Sequence, residues 1–304
     1  MFFQKFAEAT NKKKRSLMSR DRLKQNLKTY LFGYPIHNSL APLVHSTIFH
    51  NLKVPWTYEL VESTDKADFQ PKIRSDDCVS SAISMPQKLS WMKECNEITE
   101  EGHAIGAVNT VFIKKDAETG KKRYIGTNTD CIGVREALLQ DDRNILSCST
   151  GIYLVNRIKD EVDAVVTSFA VMPSPPKFNH VVSVEKAAQL EGPVLIVGTV
   201  PDAPPATEGE VIARNITLEF LKKKQKGIVL EMCYHPKIFT EFYTLAEGNG
   251  WKVLPGTESM IHQGIAQEVL WMERPLSDMP VEAVKAGVAE ELSKMSSPKR
   301  YSRC

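Results

Sequence analysis

Nothing in these 304 residues stays apolar for long. No run approaches the roughly 20 residues that a membrane-spanning helix needs, which excludes a transmembrane protein. Cysteine is sparse and scattered: Cys78, Cys95, Cys131, Cys148, Cys233 and Cys304 form no C-x-x-C pair, and no histidine cluster stands at metal-ligand spacing. Neither a disulfide framework nor a structural zinc, nor any other metal, is expected. A secretory apolar core is missing as well, because Lys5 interrupts the opening apolar residues. A reduced, cytoplasmic setting with free thiols follows. Disorder is excluded, since 42% apolar and 25% charged residues is an ordinary globular composition, long enough for two domains.

What charge there is lies unevenly. The formal balance is +2, from 39 Lys+Arg against 37 Asp+Glu, yet residues 1–28 hold nine basic and two acidic residues, a balance of +7. The remainder therefore carries 2 − 7 = −5. A mildly acidic body argues against a nucleic-acid surface. The basic lead, with Lys12, Lys13, Lys14 and Arg15, reads as a solvated tail ahead of the fold, with a localisation signal or presequence as the alternative.

Strand-like and helix-like segments alternate for most of the length, the pattern of a layered α/β protein. Strands are expected near residues 30–33, 56–61, 79–84, 107–113 and 123–127. The last two flank a polar hairpin-type connection. A helix is expected after Asn38 or Ser39, running to Phe49, and another over 132–139. Beyond these come strands at 152–156, 181–184, 194–200, 227–234 and 251–254. Helices are expected at 159–169, 217–225, 259–272 and 281–295, and Pro173, Pro175 and Pro176 mark a loop.

Three stretches set polar residues at strand ends beside glycine or proline. The first is Gly33-Tyr34-Pro35-Ile36-His37-Asn38-Ser39-Leu40-Ala41-Pro42-Leu43-Val44-His45. The second is Ala82-Ile83-Ser84-Met85-Pro86-Gln87-Lys88. The third is Ile105-Gly106-Ala107-Val108-Asn109-Thr110, followed after the hairpin by Gly126-Thr127-Asn128-Thr129-Asp130. Singly, each has a plain explanation in a helix cap, a turn or a surface charge. Jointly, and in this order, they resemble the shikimate dehydrogenase family, with its G-x-P-I-x-H-S-x-S-P-x-x-H opening, N-V-T-x-P-x-K strand end, I-G-A-V-N-T and G-x-N-T-D. Downstream, Val155-Asn156-Arg157 resembles the N-R-T cofactor turn, and residues 231–236 resemble D-x-x-Y-x-P. Residues 256–263, ahead of Trp271, resemble the G-x-x-M-L-x-x-Q helix, and Val197-Gly198-Thr199-Val200-Pro201 resembles the family's strand-end turn near the cofactor.

The resemblance implies a polyol carboxylate, shikimate or quinate, as small-molecule partner. Ser39 and Ser84 would hydrogen-bond it. Lys88, Asn109 and Asp130 would surround the hydroxyl that is oxidised, and Tyr234 and Gln263 would complete the pocket. NADP, or NAD as the alternative, would be the cofactor, held by Asn156, Arg157 and Thr199. Oxidising a secondary alcohol needs a group to accept the hydroxyl proton, and Lys88 with Asp130 forms the natural acid/base pair. Burial would lower the lysine pKa and the carboxylate would raise it, a balance the sequence leaves open.

The pattern also departs from the family. Asn38 stands for its first His, Ala41 for its second Ser and Ala82 for its Asn, while Glu258 and Ser259 stand for Gly and Met in the late helix. The loss of a hydroxyl at Ala41 leaves room for quinate. The largest departure is glycine. Residues 134–191 contain Gly151 alone, with no G-x-G. Only 22 residues separate Asp130 from Tyr153, and 13 remain (140–152) after the expected helix. A βαβ unit takes about 30 residues, so the first strand and phosphate loop of a nucleotide domain have no room.

The expected architecture is α/β. A basic tail (1–29) precedes an N-terminal α/β substrate-binding and catalytic domain (30–130). A Rossmann-like nucleotide domain, truncated at its first βα unit, follows (131–255), and C-terminal helices pack back on the first domain (256–304). The expected function is a shikimate or quinate dehydrogenase-type oxidoreductase. The alternative is a non-catalytic binding regulator that has lost dinucleotide binding.

Overall fold

The computed structural model describes residues 22–116, 119–147, 151–170, 174–234 and 237–296. The basic lead up to Asp21, Cys148 to Thr150, Pro173, Pro236 and Cys304 lie outside the described residues. The chain forms two compact units, one running to Gly133 and resuming at Met260, the other Val134–Ser259.

The first unit is built on β1 (Lys28–Gly33), α1 (Ala41–Leu52), β2 (Thr57–Glu62), α2 (Gln70–Arg74), β3 (Cys78–Ile83), β4 (Glu97–Ile98), α3 (Glu100–Ile105), β5 (Thr110–Lys115) and β6 (Lys122–Thr127). Its six strands lie in the order β2-β1-β3-β5-β6-β4. β1 runs parallel to β2 and β3, whereas β5 is antiparallel to β3 and to β6, its hairpin partner. β3 is buried along its whole length, as a central strand should be. Phe32 stacks between Phe69 and Trp91 in the core on one face. α1 starts on the Pro42 turn without a side-chain cap, although Ser39 Oγ accepts from the Ala41 N–H at 3.2 Å.

α4 (Asp130–Asp141) carries the chain out of this unit. The second unit holds β7 (Ile152–Leu154), α5 (Lys159–Phe169), β8 (Phe178–His180), α6 (Val184–Gln189), β9 (Leu195–Gly198), α7 (Glu208–Lys222), β10 (Ile228–Glu231), α8 (Glu241–Gly248) and β11 (Lys252–Pro255). α9 (Gly256–Trp271) then returns the chain to the first unit, where α10 (Val281–Ser296) packs on α1. The strand expected at 181–184 lies instead at Phe178–His180, because Ser183 caps α6 through the Lys186 N–H. α7 starts nine residues earlier than expected, on a capping box formed by Thr207 and Glu210.

The five strands of the second unit do not form one sheet. β11-β10-β9 is a parallel three-stranded sheet, and β7-β8 a separate parallel pair. Both rest on α7: Tyr153 of β7, Val155 just after it, and Ile196 of β9 share a cluster with Ile216 and Phe220. Among the described residues no strand pairs with the second edge of β7 or of β9. β10 is buried throughout, but β9 is only half-buried, with Val197 40% exposed. This is the break that the shortage of residues between Asp130 and Tyr153 leads one to expect.

Candidate active site

Lys88 follows the turn that leaves the carboxyl end of β3. Ser84 N–H donates to the Phe32 carbonyl at 2.7 Å, Gln87 is buried with its amide donating to the Thr64 carbonyl at 2.6 Å, and Lys88's own carbonyl accepts from Val108 N–H at 2.9 Å. Gly33 is required here, because a Cβ on it would lie 2.7 Å from Ser84 Cβ and 2.9 Å from the Met85 carbonyl. Ser39 closes the neighbouring turn by donating its N–H to the Ile36 carbonyl. Ser39, Ser84 and Lys88 thus belong to loops at the carboxyl ends of parallel strands, where open α/β sheets place their ligands.

Asp130 is the first residue of α4, so its carboxylate sits at the favourable end of the helix dipole. Asn128 Oδ1 accepts from the Asp130 N–H at 2.9 Å, and its amide donates to the Ala107 carbonyl. Lys88 Nζ donates to Asp130 Oδ2 at 2.6 Å, with 23% and 29% of the two side chains exposed. The pair is therefore sheltered yet open to a ligand.

Asn109 is tied into the turn that precedes Asp130. It is buried, and its carboxamide oxygen accepts from the Thr129 N–H (2.7 Å) and the Thr110 hydroxyl (2.8 Å), while its amide donates to Thr129 Oγ1. Gln267 of α9 closes the network by donating to Thr110 Oγ1 at 2.9 Å. Sequence reasoning missed Thr110, Thr129 and Gln267. Together with Asn109 they fix the turn that delivers Asp130. Gln263 lies one turn earlier on α9, half-buried beside Gly264, whose missing Cβ would stand 2.8 Å from Val44 of α1.

A second buried pair lies in the same unit. His45 Nδ1 and Glu268 Oε1 are 2.5 Å apart, both side chains essentially without exposure, and His45 stacks between Tyr58 and Trp271. Burial pushes the Glu268 carboxyl above its usual range, with His45 opposing.

In the second unit, Glu231 ends β10 in full burial. Desolvation raises its carboxyl to about 7, although the Cys233 N–H donates to Oε1 at 2.9 Å. Tyr234 follows three residues later, half-buried. Asn156 and Arg157 follow β7, and Thr199 is exposed after β9. Both turn residues already face carboxylates: Asn156 Nδ2 donates to Glu161 Oε2 at 2.8 Å, and Arg157 lies 3.4 Å from Glu210 Oε1. The described residues do not fit a dinucleotide pyrophosphate. The strand and glycine-rich turn that would cradle it between β7 and β9 are not among them. They hold no group of three His, Cys, Asp or Glu able to bind a metal ion, and no helix long and apolar enough to cross a membrane.

The chain is thus an α/β protein with a lysine–aspartate pair at the end of one sheet and a separate parallel sheet in its second unit. Comparison with known proteins defines it further. Residues 31–111 match the shikimate dehydrogenase substrate binding domain. Quinate dehydrogenase of Emericella nidulans is 35% identical over 312 residues, covering 88% of this chain and 94% of that protein. The dehydroquinate dehydratase and shikimate dehydrogenase portion of S. pombe AroM superposes with a TM-score of 0.68 at 26% identity, covering 87% of this chain and 53% of that one. Shikimate dehydrogenase of Thermus thermophilus in complex with NADP(H) and shikimate has the same fold, with a TM-score of 0.65 at 22% identity over 86% of this chain and 99% of that one. The chain belongs to the shikimate dehydrogenase family.

Proposed function

We propose that this chain is a shikimate- or quinate-dehydrogenase-type oxidoreductase, acting at a ring hydroxyl of a polyol carboxylate with NADP(H), or alternatively NAD(H), as cofactor. The observation that carries the reading is the 2.6 Å contact between Lys88 and Asp130 at the carboxyl end of the first unit's sheet. It is supported by the 35% identity to quinate dehydrogenase and by the NADP(H) and shikimate complexes of structural relatives. A bound dinucleotide would supply or take the hydride.

The protein's part is the proton. In the direction of reduction, the Lys88 ammonium donates to the ketone oxygen as it becomes an alkoxide, and Asp130 balances the charge. In the direction of oxidation, the hydroxyl proton passes to the Lys88–Asp130 pair. Ser39 and Ser84 offer hydroxyls to the polyol carboxylate. Asn109 acts behind the pair, holding the turn of Asp130. Gln263 and Tyr234 are further polyol contacts in this reading, and Asn156, Arg157 and Thr199 the dinucleotide contacts. A cytoplasmic location and no nucleic-acid partner complete it, supported by the acidic body and scattered thiols.

The test is thermal stabilisation by shikimate and by quinate, followed by absorbance at the nicotinamide band with millimolar NADP. Stabilisation with turnover supports the reading, and neither effect with either polyol refutes it. The break between β7 and β9 favours a second reading, a protein that binds the polyol without turnover. Stabilisation with no absorbance change at any NADP or NAD concentration would select it.

A further inference from the structure

An anion at a helix N-terminus is held by unpaired backbone N–H groups and the helix dipole. Among its described residues the second unit offers no such end. α5 begins with Asp160 and Glu161 in its first turn, α6 with Glu185, α7 with Glu208 and Glu210, and α8 with Glu241. α9, which also starts in this unit, has Glu258 in its first turn. Side chains of Ser183, Thr207 and Thr240 already cap three of these ends. Each acidic first turn disfavours a phosphate at that helix end. The remaining cation near these ends that the family pattern singles out, Arg157, is engaged by Glu210.

We infer that this chain has no pyrophosphate cradle, so that a dinucleotide draws no affinity here from its pyrophosphate. The inference rests on the proposed function for the identity of the ligand. Two or more charge-assisted hydrogen bonds to the pyrophosphate are missing, each worth roughly tenfold or more in affinity. NADPH therefore binds at least about a hundredfold more weakly than it would to the same chain completed by a strand, glycine-rich turn and helix at the break. The open edges of β7 and β9, both lying on α7, mark where that element enters. The proposed polyol contacts of the first unit, Ser39, Ser84, Lys88 and Asp130, are left as they are, and the polyol keeps its affinity.

The experiment uses fluorescence titration of NADPH on the full chain and on a variant carrying a designed strand, glycine-rich turn and helix between Ser147 and Gly151. The variant is expected to bind NADPH at least a hundredfold more tightly, with unchanged stabilisation by quinate or shikimate. Equal NADPH affinities in the two proteins overturn the inference. A second measurement needs no insertion: inorganic pyrophosphate is titrated against the unmodified chain, with the melting temperature as readout. No stabilisation at millimolar pyrophosphate is expected. A saturable rise in melting temperature contradicts the inference. Thermal stabilisation by the polyol alone separates the two ideas, since its absence defeats the proposed substrate while leaving the nucleotide comparison intact.

Discussion

Lys88 and Asp130, 42 residues apart in the chain, meet at 2.6 Å because two backbone devices deliver them separately. The lysine loop is tied to Val108, and the aspartate is set at the head of α4 by Asn128. Replacing Asp130 by Asn keeps the shape and removes the charge. We expect turnover to fall by roughly a hundredfold or more. Stability should change by less than about 1 kcal/mol, as for a partly exposed ion pair. Steady-state rates and urea unfolding check the two halves of this expectation.

Thr110→Val tests the network behind the pair. The change leaves the Asn109 carboxamide short of the Thr110 donor and Gln267 short of its acceptor, in full burial. A loss of about 1–3 kcal/mol in unfolding free energy is expected. Thr110→Ser, which restores the hydroxyl, should recover most of it.

Glu231 gives the second unit a pH dependence. Its carboxyl is raised to about 7 in the fold from an ordinary 4.5, so between those values the native state holds a proton that the unfolded chain has lost. Stability contributed by the protonated form is complete below 4.5 and declines as pH rises through 7. Glu231→Gln abolishes the decline and can still accept from the Cys233 N–H. Relative to the wild type, the variant should gain on the order of 3 kcal/mol between pH 4.5 and pH 8. Denaturant midpoints across that range read it out, and parallel pH curves would rule it out.

Glu268 and His45 pair without exposure, and removing one partner strands the other. Glu268→Ala should cost about 3 kcal/mol or more, measured by thermal or urea unfolding. A neutral outcome would mean that the pair is not formed as described.

Much of this was readable from the sequence where local pattern decides. The amphipathic run of α5 was expected at 159–169 and lies at Lys159–Phe169. The hairpin of β5 and β6, the buried run of β10, and the missing room after Asp130 were equally plain. Val181, Val182 and Val184 misled because β-branched residues suggest a strand, whereas the Ser183 cap and pairing with β7 place the strand three residues earlier. Short helices such as α8 carried too little periodicity to stand out. Gln267 and Glu268 were invisible for another reason: their partners lie 157 and 223 residues away, and only the tertiary fold brings them together.

The most direct measurement is the oxidation of quinate and of shikimate at millimolar NADP, comparing the wild type with Lys88→Ala and following absorbance at the nicotinamide band. The account predicts that the variant loses at least about a hundredfold in rate while quinate or shikimate still raises its melting temperature. A variant that turns over as fast as the wild type would contradict it.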